Sequence, residues 1–137
     1  TSSTVVALDD LTSSDLTSPL PPLNCSTHTG LVDWMNYSTQ QIAEFNADVI
    51  IAADTSYLDE LLIPFASTVR TALQVKPNTV CYLAQAERHP LTFLMYVEAL
   101  LDEGLLVSEL SQPLRGRFNY DRTTCPVIMH QVTLKHK

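Results

Sequence analysis

From about residue 47 onward the apolar positions follow two alternating rhythms, short unbroken runs and stripes that recur every three or four residues. Val49-Ile-Ile-Ala-Ala53 is the first run, bounded by Asp48 and Asp54. A continuous apolar stretch between two acids predicts a central parallel strand over 48–54, covered on both faces. Leu61, Leu62, Phe65, Ala66, Val69, Ala72 and Leu73 then fall at helical spacing and predict an amphipathic helix over 58–74. Pro64 interrupts this stripe. It removes an amide donor and crowds the preceding turn, so it either kinks the first turns or marks the true helix start.

Pro77-Asn78 is turn chemistry, and Thr79-Val-Cys-Tyr-Leu-Ala-Gln85, rich in β-branched and aromatic residues, predicts a second strand. Pro90 suits a first helical position. Leu91, Leu94, Met95, Val97, Leu100 and Leu101 form the stripe of a second helix, and Gly104 is placed to end it. Residues 105–110 and 126–134 read as two strands around a polar stretch holding Arg115, Gly116, Arg117 and Asn119, which predicts an antiparallel hairpin.

Upstream the rhythm weakens. Residues 1–30 are crowded with Ser, Thr and Pro, including Pro19, Pro21 and Pro22, and predict an irregular segment in which only Thr4-Val-Val-Ala-Leu8 resembles a strand. Leu31-Val-Asp33-Trp34 is a short candidate strand, and 39–45 predicts a brief helix capped by Ser38 or Thr39. The order strand, helix, strand, helix, then two strands implies an α/β domain over 31–137, with a parallel sheet and helices on its faces.

Composition narrows the function classes. A chain of 137 residues that is 45% hydrophobic has material for one modest core. A formal net charge of −7 argues against a phosphate-backbone binder, which needs clustered Lys and Arg, so no nucleic acid is expected as a partner. Cys25, Cys81 and Cys125 are widely spaced with no Cys-x-x-Cys pair, which predicts neither a disulfide framework nor a zinc ribbon. His28, His89, His130 and His136 are scattered, and no metal site is expected. No apolar run reaches the ~18–20 residues a membrane helix requires, and the first residues lack a basic then apolar pattern. A soluble cytoplasmic chain without a membrane partner is the expectation.

In open parallel sheets ligands gather beyond the carboxyl ends of the strands, so the polar residues there carry the candidate chemistry. Three ends qualify: Asp33-Trp34, Asp54-Thr-Ser-Tyr57, and Gln85-Ala-Glu87-Arg88-His89. Asp54 alone also reads as a helix N-cap, Trp34 as core packing, and Tyr57 as a helix-start hydroxyl with a local partner. Ser56 lies in no Gly-x-Ser-x-Gly elbow, which argues against a hydrolase.

Leu31-Val-Asp33-Trp34, followed by Ala47-Asp-Val-Ile-Ile-Ala-Ala-Asp54-Thr-Ser-Tyr57, resembles the paired "Leu-Asp-Trp" and "Asp-x-x-Tyr" segments of the seven-β-strand (class I) S-adenosylmethionine-dependent protein-lysine methyltransferases. Val80-Cys-Tyr-Leu-Ala, Arg88-His-Pro90, Phe118-Asn-Tyr120-Asp and Val132-Thr-Leu134 are similar to the elongation factor 2 branch of that family. The resemblance runs from about Leu31 onward and implies the C-terminal half of a Rossmann-like sheet ending in an antiparallel β-hairpin. It also implies S-adenosyl-L-methionine as cofactor and a protein substrate, with elongation factor 2 a candidate. On this resemblance Asp33 and Trp34 lie beside the adenine, Ala53 with Asp54 borders the methionine end, and Asp54 and Tyr57 face the substrate as catalytic residues.

One departure bears on activity. The family's acidic residue followed by Gly-x-Gly has no counterpart, because the only glycines are Gly30, Gly104 and Gly116. Such loops need glycine for close backbone approach and positive φ. The first strand and its loop are therefore expected to lie outside this chain or to have been lost. Residues 4–10, ending in Asp9-Asp10, resemble the ribose-binding strand, but the Ser-, Thr- and Pro-rich stretch after them makes a poor helix, and a variable insertion is the preferred reading. A non-catalytic truncated isoform or degenerate copy is the alternative to an enzyme, and weak cofactor binding with no turnover is the expectation for this chain alone. Missing leading strands should also leave a sheet edge and apolar surface exposed, with poor solubility.

Overall fold

A computed structural model describes residues 26–55, 57–110 and 127–135. The chain divides into two units, Thr1–Leu31 and Val32–Lys137. Of the first, residues 26–31 are described; they are exposed and without regular structure. The expected strand at 4–8, and the polar stretch around Arg115 to Asn119, lie outside the described residues.

The second unit holds α1 (Thr39–Phe45), β1 (Val49–Ala53), α2 (Asp59–Val75), β2 (Val80–Ala86), α3 (Pro90–Asp102), β3 (Leu105–Glu109) and β4 (Val127–Leu134). Local chemistry sets most of these boundaries. The Ser38 hydroxyl accepts the Gln41 amide at 3.1 Å to open α1, and Asn46 closes it in the left-handed region at φ 45°. Pro90 opens α3 where its missing amide costs nothing. Gly104 ends that region at φ 74°, its amide donating to the Leu101 carbonyl at 2.9 Å. A Cβ at Gly104 would meet nothing within 4 Å, so the need for glycine there is conformational.

The sheet order is β1-β2-β4-β3. β1 and β2 are parallel, whereas β4 runs antiparallel to both β2 and β3. The expected closing pair of antiparallel strands is present, and its second strand lies between β2 and β3. Both long helices cover one face. Leu62, Phe65, Ala66, Val69 and Leu73 of α2, with Tyr96, Ala99 and Leu100 of α3, bury Cys81 and Leu83 of β2, Leu105 of β3 and Val132 of β4. α1 packs against α2, where the Tyr37 hydroxyl meets the Thr71 hydroxyl at 3.0 Å. Lys76 pairs with Asp48 at 2.6 Å and donates to the Asn46 carbonyl, which ties the entry of β1 to the turn before β2.

Four expectations change here. Leu31 to Trp34 form no strand: Asp33 instead opens a turn, its carboxylate accepting the Met35 amide at 2.9 Å and its carbonyl the Asn36 amide at 3.0 Å. A short acidic side chain that captures nearby amides competes with extended pairing. β1 is an edge strand of the described sheet, not a central one, and Ile51 is 66% exposed. Among the described residues no helix covers the face carrying Ile51, Leu106 and Val127, so the helices occupy one face and not both. The stripe of α3 is also rotated. Tyr96, Ala99 and Leu100 are buried, while Leu91, Leu94 and Leu101 are exposed. That helix is apolar around most of its circumference, so its sequence does not select a face.

Pro64 stands inside α2, and the helix continues through it. Its ring removes the bond that residue 64 would give to residue 60, while its own carbonyl accepts the Thr68 hydroxyl at 2.9 Å. Pro64→Ala is expected to raise the unfolding free energy by roughly 1–2 kcal/mol, the helical gain exceeding the lost rigidity of the unfolded chain. Thermal and urea denaturation read this directly, and unchanged or lower stability would count against a helix strained by Pro64.

Among the described residues two buried polar atoms, the Tyr96 hydroxyl and His130 Nδ1, have no hydrogen-bond partner. Phe93 stacks on the His130 ring with centroids 5.8 Å apart. Burial holds the imidazole below the usual histidine range, with Glu109 pulling the other way.

Candidate functional site

The carboxyl ends of β1 and β2 lie side by side, with Ala53 opposite Ala84 in parallel register. Beyond them the chain enters two loops, 54–58 and 87–89, that lead into α2 and α3. Asp54 joins these loops. Its amide donates to the Ala84 carbonyl at 2.9 Å, extending the ladder by one bond. Its φ of 50° then turns the chain into the left-handed region, which Asp tolerates better than most residues.

That turn aims the carboxylate at the neighbouring loop. One oxygen, Oδ1, accepts the Ala86 amide at 3.1 Å, and Oδ2 meets Arg88 Nη2 at 2.9 Å. Asp54 does not cap α2, whose N-cap is Leu58 with no side-chain bond. A second link joins the first turns of the helices that follow these loops, the Thr92 hydroxyl of α3 donating to Asp59 of α2 at 3.0 Å. The Asp54–Arg88 pair is half open to water, with side-chain exposures of 48% and 63%. Such pairs contribute about 0.2–1 kcal/mol, too little to explain the strained Asp54 backbone as a device for stability alone.

These loops enclose a cavity of about 80 Å³ lined by Asp54, Tyr57, Gln85, Arg88, His89 and Phe93. Phe93 supplies an aromatic wall, Tyr57 stands at the rim with most of its ring exposed, and Gln85 is buried in the floor. The chemistry is a carboxylate with one oxygen fixed by backbone, flanked by aromatic surface. That combination is chemically suited to a small cationic head, through charge and cation–π attraction.

Asp54 and Tyr57 are thus brought together. Asp33, Trp34 and Ala53 do not line this cavity. Asp33 is engaged in its own turn, and Trp34 packs edge-on to Phe65 at 4.9 Å against the core. Ala53 adjoins Asp54 but belongs to the exposed side of β1, with Val49 and Ile51. Ser56 lies outside the described residues. The Asp54–Arg88 and Asp59–Thr92 links were missed by sequence reasoning, and their only signal was complementary side chains just beyond two adjacent strands and at the starts of the helices that follow.

S-adenosylmethionine does not fit the described site. Drug-sized ligands occupy roughly 300–1,000 Å³, and no glycine at the end of β1 or β2 lets backbone approach a ligand closely. Among the described residues no group of three His, Cys, Asp or Glu can hold a metal, and no helix is long and apolar enough to cross a membrane. No protein-family model and no curated protein matches the chain.

Proposed function

We propose that this chain is the substrate-side half of a protein-lysine N-methyltransferase of the Rossmann-like seven-strand class, acting in the cytoplasm on a protein substrate, with elongation factor 2 the candidate. The observation that carries the reading is the Asp54 carboxylate, held at the ends of two parallel strands beside Tyr57 and Phe93. An α/β sheet whose last strand inserts antiparallel beside a parallel pair supports the half-sheet reading. The family's S-adenosyl-L-methionine would need a glycine cradle that the described residues do not provide, so the contribution of this chain is to bind and orient the amine. Asp54 attracts the ammonium, and the aromatic wall aligns the alkyl stem and excludes water around the head.

The missing cradle favours a second reading, a non-catalytic relative whose cavity binds a lysine of a protein partner. Both readings place a lysine ammonium on Asp54, and neither gives the described residues of this chain a cofactor cradle; they differ in whether the bound lysine is methylated. Titration of Nα-acetyl-L-lysine methylamide into the ¹⁵N-labelled chain should shift the amides of Tyr57, Ala86 and Arg88. Asp54→Asn, which keeps the shape and tolerance of positive φ, should weaken that binding roughly tenfold by removing a charge-assisted bond. Equal affinity in the variant would remove Asp54 from the site. Calorimetry with S-adenosylmethionine should give no micromolar binding to this chain alone, and micromolar binding would overturn the half-sheet reading.

A further inference from the structure

We infer that Arg88 occupies, as an internal stand-in, the place of the substrate ammonium on Asp54, so that it sets which cations the cavity admits. The inference rests on the lysine-binding reading above. Of the two Asp54 oxygens, Oδ1 is taken by the Ala86 amide and Oδ2 by Arg88 Nη2. A lysine head entering the cavity meets a carboxylate already satisfied by a guanidinium, and two cations on one oxygen repel each other. Arg88 must therefore move for the amine to bind in place.

The surroundings allow that exchange. Arg88 lies on the three-residue loop between β2 and α3, and its side chain is 63% exposed, so the released guanidinium returns to water at little cost. Among the described residues Arg88 forms an ion pair with Asp54 alone. Oδ1 stays fixed by the backbone amide, and the carboxylate keeps its orientation when Arg88 leaves. A neutral amine does not compete with a guanidinium for a carboxylate, so entry selects the charged ammonium. The apparent affinity is reduced by the fraction of molecules in which Arg88 holds the site.

Lysine-methylamide titrations of the full chain, followed by amide shifts, separate the outcomes. Arg88→Gln should tighten binding about fivefold, the equivalent of losing one exposed ion pair, whereas Arg88→Lys should stay near wild type because a competing cation remains. Asp54→Asn/Arg88→Gln should bind no better than Asp54→Asn alone, since the competitor matters only while the carboxylate is present. Thermal denaturation of each variant verifies folding. Unchanged or weaker binding by Arg88→Gln, with Asp54→Asn still impaired, overturns the role of Arg88 and leaves the lysine site standing. Absence of a saturable shift in every form, or equal binding by Asp54→Asn, overturns the lysine site and this inference with it.

Discussion

Leu83→Ala should lower the unfolding free energy by roughly 2–5 kcal/mol, a large share of the 5–15 kcal/mol typical of a whole domain. Leu83 is 1% exposed and sits in β2, between Ala52 of β1 and His130 of β4. Both neighbours are fixed by ladder hydrogen bonds, and α2 and α3 close the space above. A site pinned on three sides relaxes little, and the cavity left by truncation persists. Leu91→Ala is the matched control, because Leu91 is 71% exposed on α3 despite belonging to the stripe expected from sequence. Its cost should stay within about 0.5 kcal/mol. Urea denaturation of the two variants compares them directly, and equal losses would mean that the core is not centred on β2.

The second large effect is alkaline destabilisation through Cys81, a free thiol with no exposed surface. Burial pushes it up to about 12, against an ordinary value of 9.0. The folded state therefore keeps its proton where the unfolded chain releases it. Because the unfolded chain then binds fewer protons, stability is fully present below about pH 9 and falls as pH rises toward 12, on the order of 1.4 kcal/mol per unit from this group. Tyr96 acts in the same direction from its ordinary value of 10.0 upward, also through burial. Between about pH 7.5 and about pH 10.5 the protein should lose on the order of 2 kcal/mol in urea denaturation, and Cys81→Ala should lose distinctly less. An alkaline loss of the same size in the variant would acquit Cys81. Iodoacetamide should leave Cys81 unmodified in the native protein and label it in urea, since the thiolate is the nucleophile.

The elements were legible where pattern and punctuation agreed. Pro90 and Gly104 bracket α3, and Leu62, Phe65, Ala66, Val69 and Leu73 mark the buried face of α2, because helical spacing allows one way to bury them together. Val49 to Ala53 was legible as a strand but not as an edge. An apolar run reports side-chain chemistry, whereas the number of neighbouring strands depends on chain elsewhere. Asp33 ends no strand because its side chain finds a closer partner in the Met35 amide than any strand could offer. At the candidate site Asp54 and Tyr57 stood out by motif and lie on one cavity. Arg88 is 34 positions away from Asp54, and only the parallel register of β1 with β2 makes them neighbours.

The insertion of β4 between β2 and β3 has a consequence for synthesis. β2 ends at Ala86 and its partner begins at Val127, about 41 residues later, so at 5–20 residues per second a ribosome leaves that edge waiting for roughly 2–8 s. During this interval the nascent chain presents Val80-Cys-Tyr-Leu-Ala-Gln-Ala86, apolar and uncharged, without the strand that will flank it. β3 is made earlier but has no seat until β4 arrives to carry it. A stop or frameshift ahead of β4 therefore removes the middle of the sheet and strands β3, and even a short deletion within β4 is expected to deliver the chain to chaperones and proteases.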